Sequence, residues 1–263
     1  MFNTSLFSVV LLATLAFAAP SSRERFERRI ARRALGRNSQ PRLPADGLDT
    51  LTNVSHVQYS SNWAGAVISE SKATWTAVTG TFVVPTPSAP SGESTAYASA
   101  WVGIDGDTCG NAILQTGVDF NVQNGVVSYD AWYEWYPDYA HSFSGITFSA
   151  GDIVTVTVKA SSKTGGTATV ENVTKGKTVT YTFSGQPSLC EYDVEWIVED
   201  FESGGSLVPF ADFGTVTFTN AVATQSSGST VGPSGATIID IEQSNKVLTS
   251  CSASSSSVTC TYQ

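Results

Sequence analysis

The chain is poor in the residues that most hydrolases rely on. It has one methionine, two histidines and four cysteines, and past Arg42 it has no arginine. Of the histidines, His56 and His141, only His141 lies well inside the long second part of the chain. No His-Glu-x-x-His occurs, which excludes a zincin site. No Gly-x-Ser-x-Gly occurs, which excludes the nucleophile elbow of an α/β-hydrolase. Asp-Thr-Gly and Asp-Ser-Gly are also missing, so a pepsin-like carboxylate pair has no support. Asp105-Gly-Asp107 has the start of a calcium loop, but Cys109 and Thr116 stand where that loop needs acids. No metal or cofactor is expected. Long hydrophobic runs are absent too. The longest, Leu6–Phe17, falls short of the roughly 20 residues that span a bilayer.

That run belongs to a leader. Residues 1–19 read as a secretory signal peptide, with Ala16-Phe17-Ala18 as a small-residue cleavage pattern. All eight arginines follow it, between Arg23 and Arg42. Residues 20–56 are therefore read as a basic propeptide. Its first half has weak helical spacing, and Leu43-Pro-Ala-Asp-Gly47 is a breaker cluster. Export removes the chain from nucleic acid, so the basic run is assigned to an inhibitory or chaperoning segment. The product is expected to be secreted, monomeric, and free of membrane and nucleic-acid partners.

Residues 57–263 form the body. It carries 19 acidic residues against six lysines, a formal charge of −13. Such a surface repels itself at neutral pH and is largely discharged near pH 3, given carboxyl pKa values of about 4. The body therefore suits an acidic environment. Four cysteines in an exported chain imply two disulfides. Cys251 and Cys260 flank a Ser-rich turn and are paired, leaving Cys109 with Cys190. Asn172-Val-Thr174 is a sequon and the expected glycosylation site in the body.

Alternating β-branched segments recur throughout, among them Ile153–Val158, Thr178–Phe183, Gly214–Thr219 and Ser257–Tyr262. No long segment holds a helical period. The expectation is an all-β fold, a sandwich of two antiparallel sheets.

Carboxylates, amides and aromatics are what is left for chemistry, and two segments concentrate them. One runs from Ala100 to Asp119, the other from Glu191 to Glu202. In the second, Glu195, Ile197 and Glu199 share one strand face, with Trp196 and Val198 on the other. A glutamate among such neighbours is costly to bury ionised, which is how a general acid or base is tuned. A Cys109–Cys190 bridge would draw the two segments together, with Gln115 near the glutamate strand.

These segments resemble the eqolisins, the glutamic endopeptidases of filamentous fungi. The similarity runs from Ser61-Asn-Trp-Ala-Gly65 to the carboxyl terminus. It rests on Trp101-Val-Gly-Ile-Asp105, Ala112–Asp119, Tyr129–Asp138 and Glu195-Trp-Ile-Val-Glu-Asp-Phe201. The resemblance implies two sheets of about seven strands, lectin- or jelly-roll-like, and a Gln/Glu catalytic dyad acting on protein or peptide substrates. The glutamine falls on Gln115 and the glutamate on Glu199, with Glu195 as the alternative four residues earlier. It also implies cleft or supporting roles for Trp101, Asp105, Asp119, Trp132 and Glu134. Pepstatin, which targets aspartic pairs, should not inhibit. The competing class is a β-sandwich glycoside hydrolase or carbohydrate-binding protein using Glu195 with Glu199, or Asp240 with Glu242.

Overall fold

A computed structural model describes residues 36–45 and 57–263. The signal segment and the rest of residues 20–56 lie outside the described residues. The long strands are β1 (Trp63–Ser69), β2 (Trp75–Val83), β3 (Thr95–Ile104), β4 (Ile113–Gln123), β5 (Val126–Tyr136), β6 (Ile153–Ser162) and β7 (Gly165–Asn172). They continue with β8 (Lys177–Phe183), β9 (Asp193–Glu199), β10 (Thr215–Gln225), β11 (Thr237–Gln243), β12 (Thr249–Ala253) and β13 (Val258–Tyr262). There is no helix among the described residues.

Alternation in the sequence becomes alternation in burial. On β6, Val154, Val156, Val158 and Ala160 are buried while Ile153 and Lys159 face solvent, as expected of a strand covered on one side. Two sheets result. One is eight-stranded and places its long strands in the order β8-β7-β6-β2-β10-β13-β12. The other is nine-stranded, with the order β11-β1-β9-β3-β4-β5. Both exceed seven strands only through short edge pieces such as Thr230–Val231 and His141–Ser142. The core between them is aromatic. Phe82 packs edge-on against Phe120 and Phe218 at 6.2 and 5.4 Å, and Trp196 Nε1 donates across the sandwich to Thr79 O at 2.8 Å.

Two details go beyond the expected antiparallel sandwich. The first is one parallel pairing. Val57–Ser60 runs parallel to β11, because the chain enters alongside that strand and only then turns. Ser60 Oγ makes the turn, accepting the amides of Asn62 and Trp63 at 3.3 and 3.1 Å. The second is the surroundings of the sequon residue Asn172. This side chain is fully buried. Its Nδ2 donates to Thr147 O at 3.0 Å and Asp152 Oδ2 at 2.8 Å, and its Oδ1 accepts Lys175 N at 3.0 Å. Both amide hydrogens are engaged inside the loop, so in this fold the residue ties the loop together.

Cys109 is bonded to Cys190 across a separation of 81 residues, and Cys251 to Cys260, which face each other in the β12–β13 hairpin. The longer bridge pins the β3–β4 loop to the entrance of β9. Asp105 reinforces it. Held at a left-handed φ of 71°, its carboxylate accepts the amides of Cys190, Glu191, Tyr192 and Asp193 at 2.7–3.3 Å.

Candidate active site

β9 is central in its sheet, and all seven of its residues are buried. Val194, Trp196 and Val198 enter the sandwich core, while Ile197 joins a separate cluster with Trp63, Trp101, Ile113 and Trp132 on the opposite face. That opposite face carries the polar groups. The strand register arranges them in rows across β9, β3, β4 and β5. The first row is Glu199, Ser99, Asp119, Asp130; the second is Ile197, Trp101, Gly117, Trp132; the third is Glu195, Gly103, Gln115, Glu134. β3 thus separates the glutamate strand from the glutamine strand. At Gly117, a Cβ would stand 2.5 Å from Trp101 Cβ, so glycine is what lets β3 and β4 approach closely beside Trp101.

Glu199 sits under Trp101, whose Nε1 donates to Oε2 at 2.9 Å. Residues 36–45 cross this face. Ser39 Oγ donates to Glu199 Oε2 at 2.6 Å, and Gln40 N donates to Oε1 at 3.3 Å. Ser39 N donates to Glu134 Oε2 at 3.2 Å. One residue therefore spans from Glu199 to the glutamate paired with Gln115. Gln40 O accepts Trp63 Nε1 at 3.0 Å, and Leu43 N donates to Asn62 Oδ1 at 2.9 Å. The flanking arginines anchor both ends. Arg37 pairs with Asp119 at 2.7 Å and lies 3.8 Å from the centre of the Trp132 ring. Arg42 pairs with Asp107 at 2.9 Å.

Beside Arg37 is a cavity of about 490 Å³ lined by Asp119, Asp130, Trp132 and Phe201. Gln115 is fully buried, and neither atom of its amide has a hydrogen-bond partner among the described residues.

Burial sets the protonation of this face. It pushes Glu199 up to about 7, against the opposing Arg37 charge and the hydrogen bonds from Ser39, Gln40 and Trp101. It raises Asp119 to about 6, again against Arg37. Glu134 and Glu195 are held well above the ordinary glutamate range by burial, Glu195 with added repulsion from Asp193, Asp105 and Asp107. Asp200, next in the chain to Glu199, is raised to about 8. A carboxyl that titrates within this range, on the same sheet face as an amide with unused donors, supplies the two groups needed to move a proton and to stabilise a developing oxyanion.

The Peptidase A4 family model matches residues 61–262. The chain belongs to this family. It is 56% identical over 274 residues to aspergillopepsin-2 of Aspergillus niger, covering 96% of each chain. It is 42% identical over 272 residues to scytalidopepsin B of Scytalidium lignicola, covering 99% of this chain and 98% of that one. Among solved structures, scytalido-glutamic peptidase with a transition-state analogue inhibitor superposes with a TM-score of 0.71 at 44% identity, over 77% of this chain and 98% of that one. Aspergilloglutamic peptidase from Aspergillus niger gives 0.62 at 67% identity, over 64% and 99%.

As an A4-family member the protein is an endopeptidase of the glutamic type. The glycosidase alternative falls away. Glu195 lies in the Gln115 row, fully buried and without a hydrogen-bond partner among the described residues, and Asp240 accepts Thr249 Oγ1 at 3.1 Å. Of the expected site residues, Gln115, Glu199, Trp101, Asp119, Trp132 and Glu134 lie on the one face. Asp105 does not; it holds the loop behind. Sequence reasoning missed Ser39 and Gln40, which sit in a segment of no distinctive pattern. It also missed Trp63, although Ser61-Asn-Trp63 opens the region of resemblance.

Proposed function

We propose that this endopeptidase is exported, made with residues 20–56 as an inhibitory leader, and cuts peptide bonds in acid with Glu199 and Gln115. Glu199 as carboxylate takes a proton from water, which attacks the scissile carbonyl without a covalent intermediate; such a base contributes roughly 10²–10⁴-fold. The Gln115 Nε2 donates to the oxyanion, a contribution of roughly 10²–10³-fold. Protonated Glu199 then passes its proton to the leaving amine. An amide does not titrate in this range, so the donor persists in acid.

The observation carrying this reading is the 2.6 Å contact of Ser39 Oγ with Glu199. A hydroxyl oxygen occupies the place that the attacking water needs. Residues 36–45 of the leader approach Glu199 with donors, and among the described residues no group engages the Gln115 amide. Ser39 and Gln40 thus occupy Glu199 with a hydroxyl and a backbone amide. Its departure readmits water to Glu199, relieves part of the burial penalty, and lowers the pKa towards the acid range in which the base must be ionised.

The same contacts make the leader pH-sensitive. The Arg37–Asp119 pair requires Asp119 ionised, and Asp119 titrates at about 6. Arg37 stays charged throughout. The attraction is present above that pH and lost as pH falls through it. The expected outcome for the enzyme is that Gln115→Ala and Glu199→Ala fold but fail to digest a denatured protein at about pH 3. Wild-type activity in either would sink the assignment. For the leader, amino-terminal sequencing should find it attached after incubation at neutral pH and released near pH 3. Release that ignores pH would refute the electrostatic part.

A further inference from the structure

Glu195 takes no part in the mechanism above, yet it is placed as if to serve it. It stands in the same row as Gln115, with Gly103 between them. Gly103 has no side chain to separate the two. Measured from where a Cβ on residue 103 would stand, Glu195 Oε1 is 2.5 Å away and Gln115 Cβ is 3.4 Å away. The carboxyl and the glutamine side chain are thus within about 6 Å of each other. The Trp101 ring, 2.7 Å from the same point, closes the space above them. Both side chains are fully buried, and neither carboxyl oxygen of Glu195 nor either amide atom of Gln115 has a hydrogen-bond partner among the described residues. Buried polar atoms are rarely left so. Two such side chains within about 6 Å of each other, each otherwise without a partner among the described residues, point to each other as partners.

We propose that Glu195 is the positioning residue of Gln115: as a neutral acid it donates its proton to Gln115 Oε1, directly or through one water, and so turns Nε2 towards the substrate. An amide can present either end, and only one end serves an oxyanion. A neutral carboxylic acid offers one O–H donor, which claims the carbonyl of the glutamine and leaves both N–H groups free. A carboxylate in its place would attract Nε2 and present Oε1 to the oxyanion, where it would repel. The charges facing Glu195 are Asp193 on its own strand and Asp105 and Asp107 on the β3–β4 loop. On the far side of Gln115 stands Glu134. All are carboxyls, so the surroundings favour the neutral form.

The proposal rests on Gln115 being the oxyanion donor. Two variants of the full chain, matured in acid, test it on one peptide substrate. Glu195→Gln keeps a donor and should hold kcat within about threefold of wild type. Glu195→Leu removes it and should lower kcat by about 10²-fold, the lower end of what one oxyanion donor contributes, with KM within about twofold. A purely structural glutamate would instead change the melting temperature and leave the kcat of the folded fraction alone. Glu195→Leu with near wild-type kcat, or equal losses in both variants, would overturn the proposal. If Glu195→Leu does not fold, Gly103→Ala decides, because its methyl would displace the carboxyl. A large kcat loss is expected there, and an unchanged kcat would refute the role. Gln115→Ala run alongside separates the two readings. If it stays active, the dyad itself is wrong; if it is inactive while Glu195→Leu and Gly103→Ala are not, only the role of Glu195 is wrong.

Discussion

Replacing Asp200 by asparagine should stabilise the protein at alkaline pH and do almost nothing in acid. Asp200 is 1% exposed. Its Oδ2 accepts Gln243 Nε2 at 2.7 Å, while Oδ1 has no partner among the described residues. Burial raises it from 3.8 to about 8, with the neighbouring Glu199 adding repulsion. The folded state therefore binds this proton more tightly than the unfolded state does. Stability from the neutral acid is fully present below about pH 4 and is lost progressively as pH rises through about 8. At about 1.4 kcal/mol per pKa unit, the whole loss is on the order of 5 kcal/mol, a large part of the 5–15 kcal/mol typical of a domain. Asparagine keeps the acceptor for Gln243 and never ionises. Denaturant unfolding of Asp200→Asn should match the parent at pH 4, or fall slightly below it, and exceed it by a few kcal/mol at pH 8. A Gln115→Ala background prevents self-digestion during the measurement. A stability difference that is flat with pH, or that narrows as pH rises, would refute the reasoning.

Further outcomes follow from other contacts. Asp119, Glu199 and Asp240 are raised by burial in the same direction as Asp200, so the parent protein should lose unfolding free energy steadily between pH 4 and pH 8; a maximum at pH 8 would contradict this. Arg37→Ala removes the ion pair to Asp119 and the stacking on Trp132, and should bring leader release at a higher pH, read by gel after timed incubation. Asn172→Ala breaks three hydrogen bonds in one buried loop and should cost roughly 1–3 kcal/mol for the groups left unpaired, while intact-mass analysis of the parent should find no glycan on Asn172. Trp196→Phe deletes the bond to Thr79 O and should destabilise by a similar amount with little change in kcat.

Much of this was legible in the sequence, for reasons that differ by element. The period of two in Ile153–Val158 fixes a strand and its buried face, because burial on one side leaves no other arrangement. Placing Glu195, Ile197 and Glu199 on a common face needs only the geometry of a strand. The match of Gln115 and Glu199 to a family came from motif identity, which physical pattern alone would not have supplied. What stayed hidden depends on contacts between distant segments. Nothing local in Ser39-Gln40 marks it as the piece that meets Glu199; that follows from a sheet whose strands are gathered from across the chain. Asn172 carries an intact sequon and reads as a surface residue until Asp152 and Thr147 are seen to claim its amide. Gly103 looks like an ordinary strand glycine until its row neighbours show that its missing Cβ makes room for the Glu195 carboxyl.

The central claim is that Glu199 and Gln115 work as one unit on a single water. The most direct measurement is kcat for Gln115→Ala, Glu199→Gln and the double variant, on one peptide at about pH 3, with the leader removed from each. The account predicts that each single variant loses at least about 10²-fold and that the double variant is little worse than the poorer single one, since groups acting as a unit are not additive. Wild-type kcat in either single variant, or losses that simply multiply in the double, would contradict it.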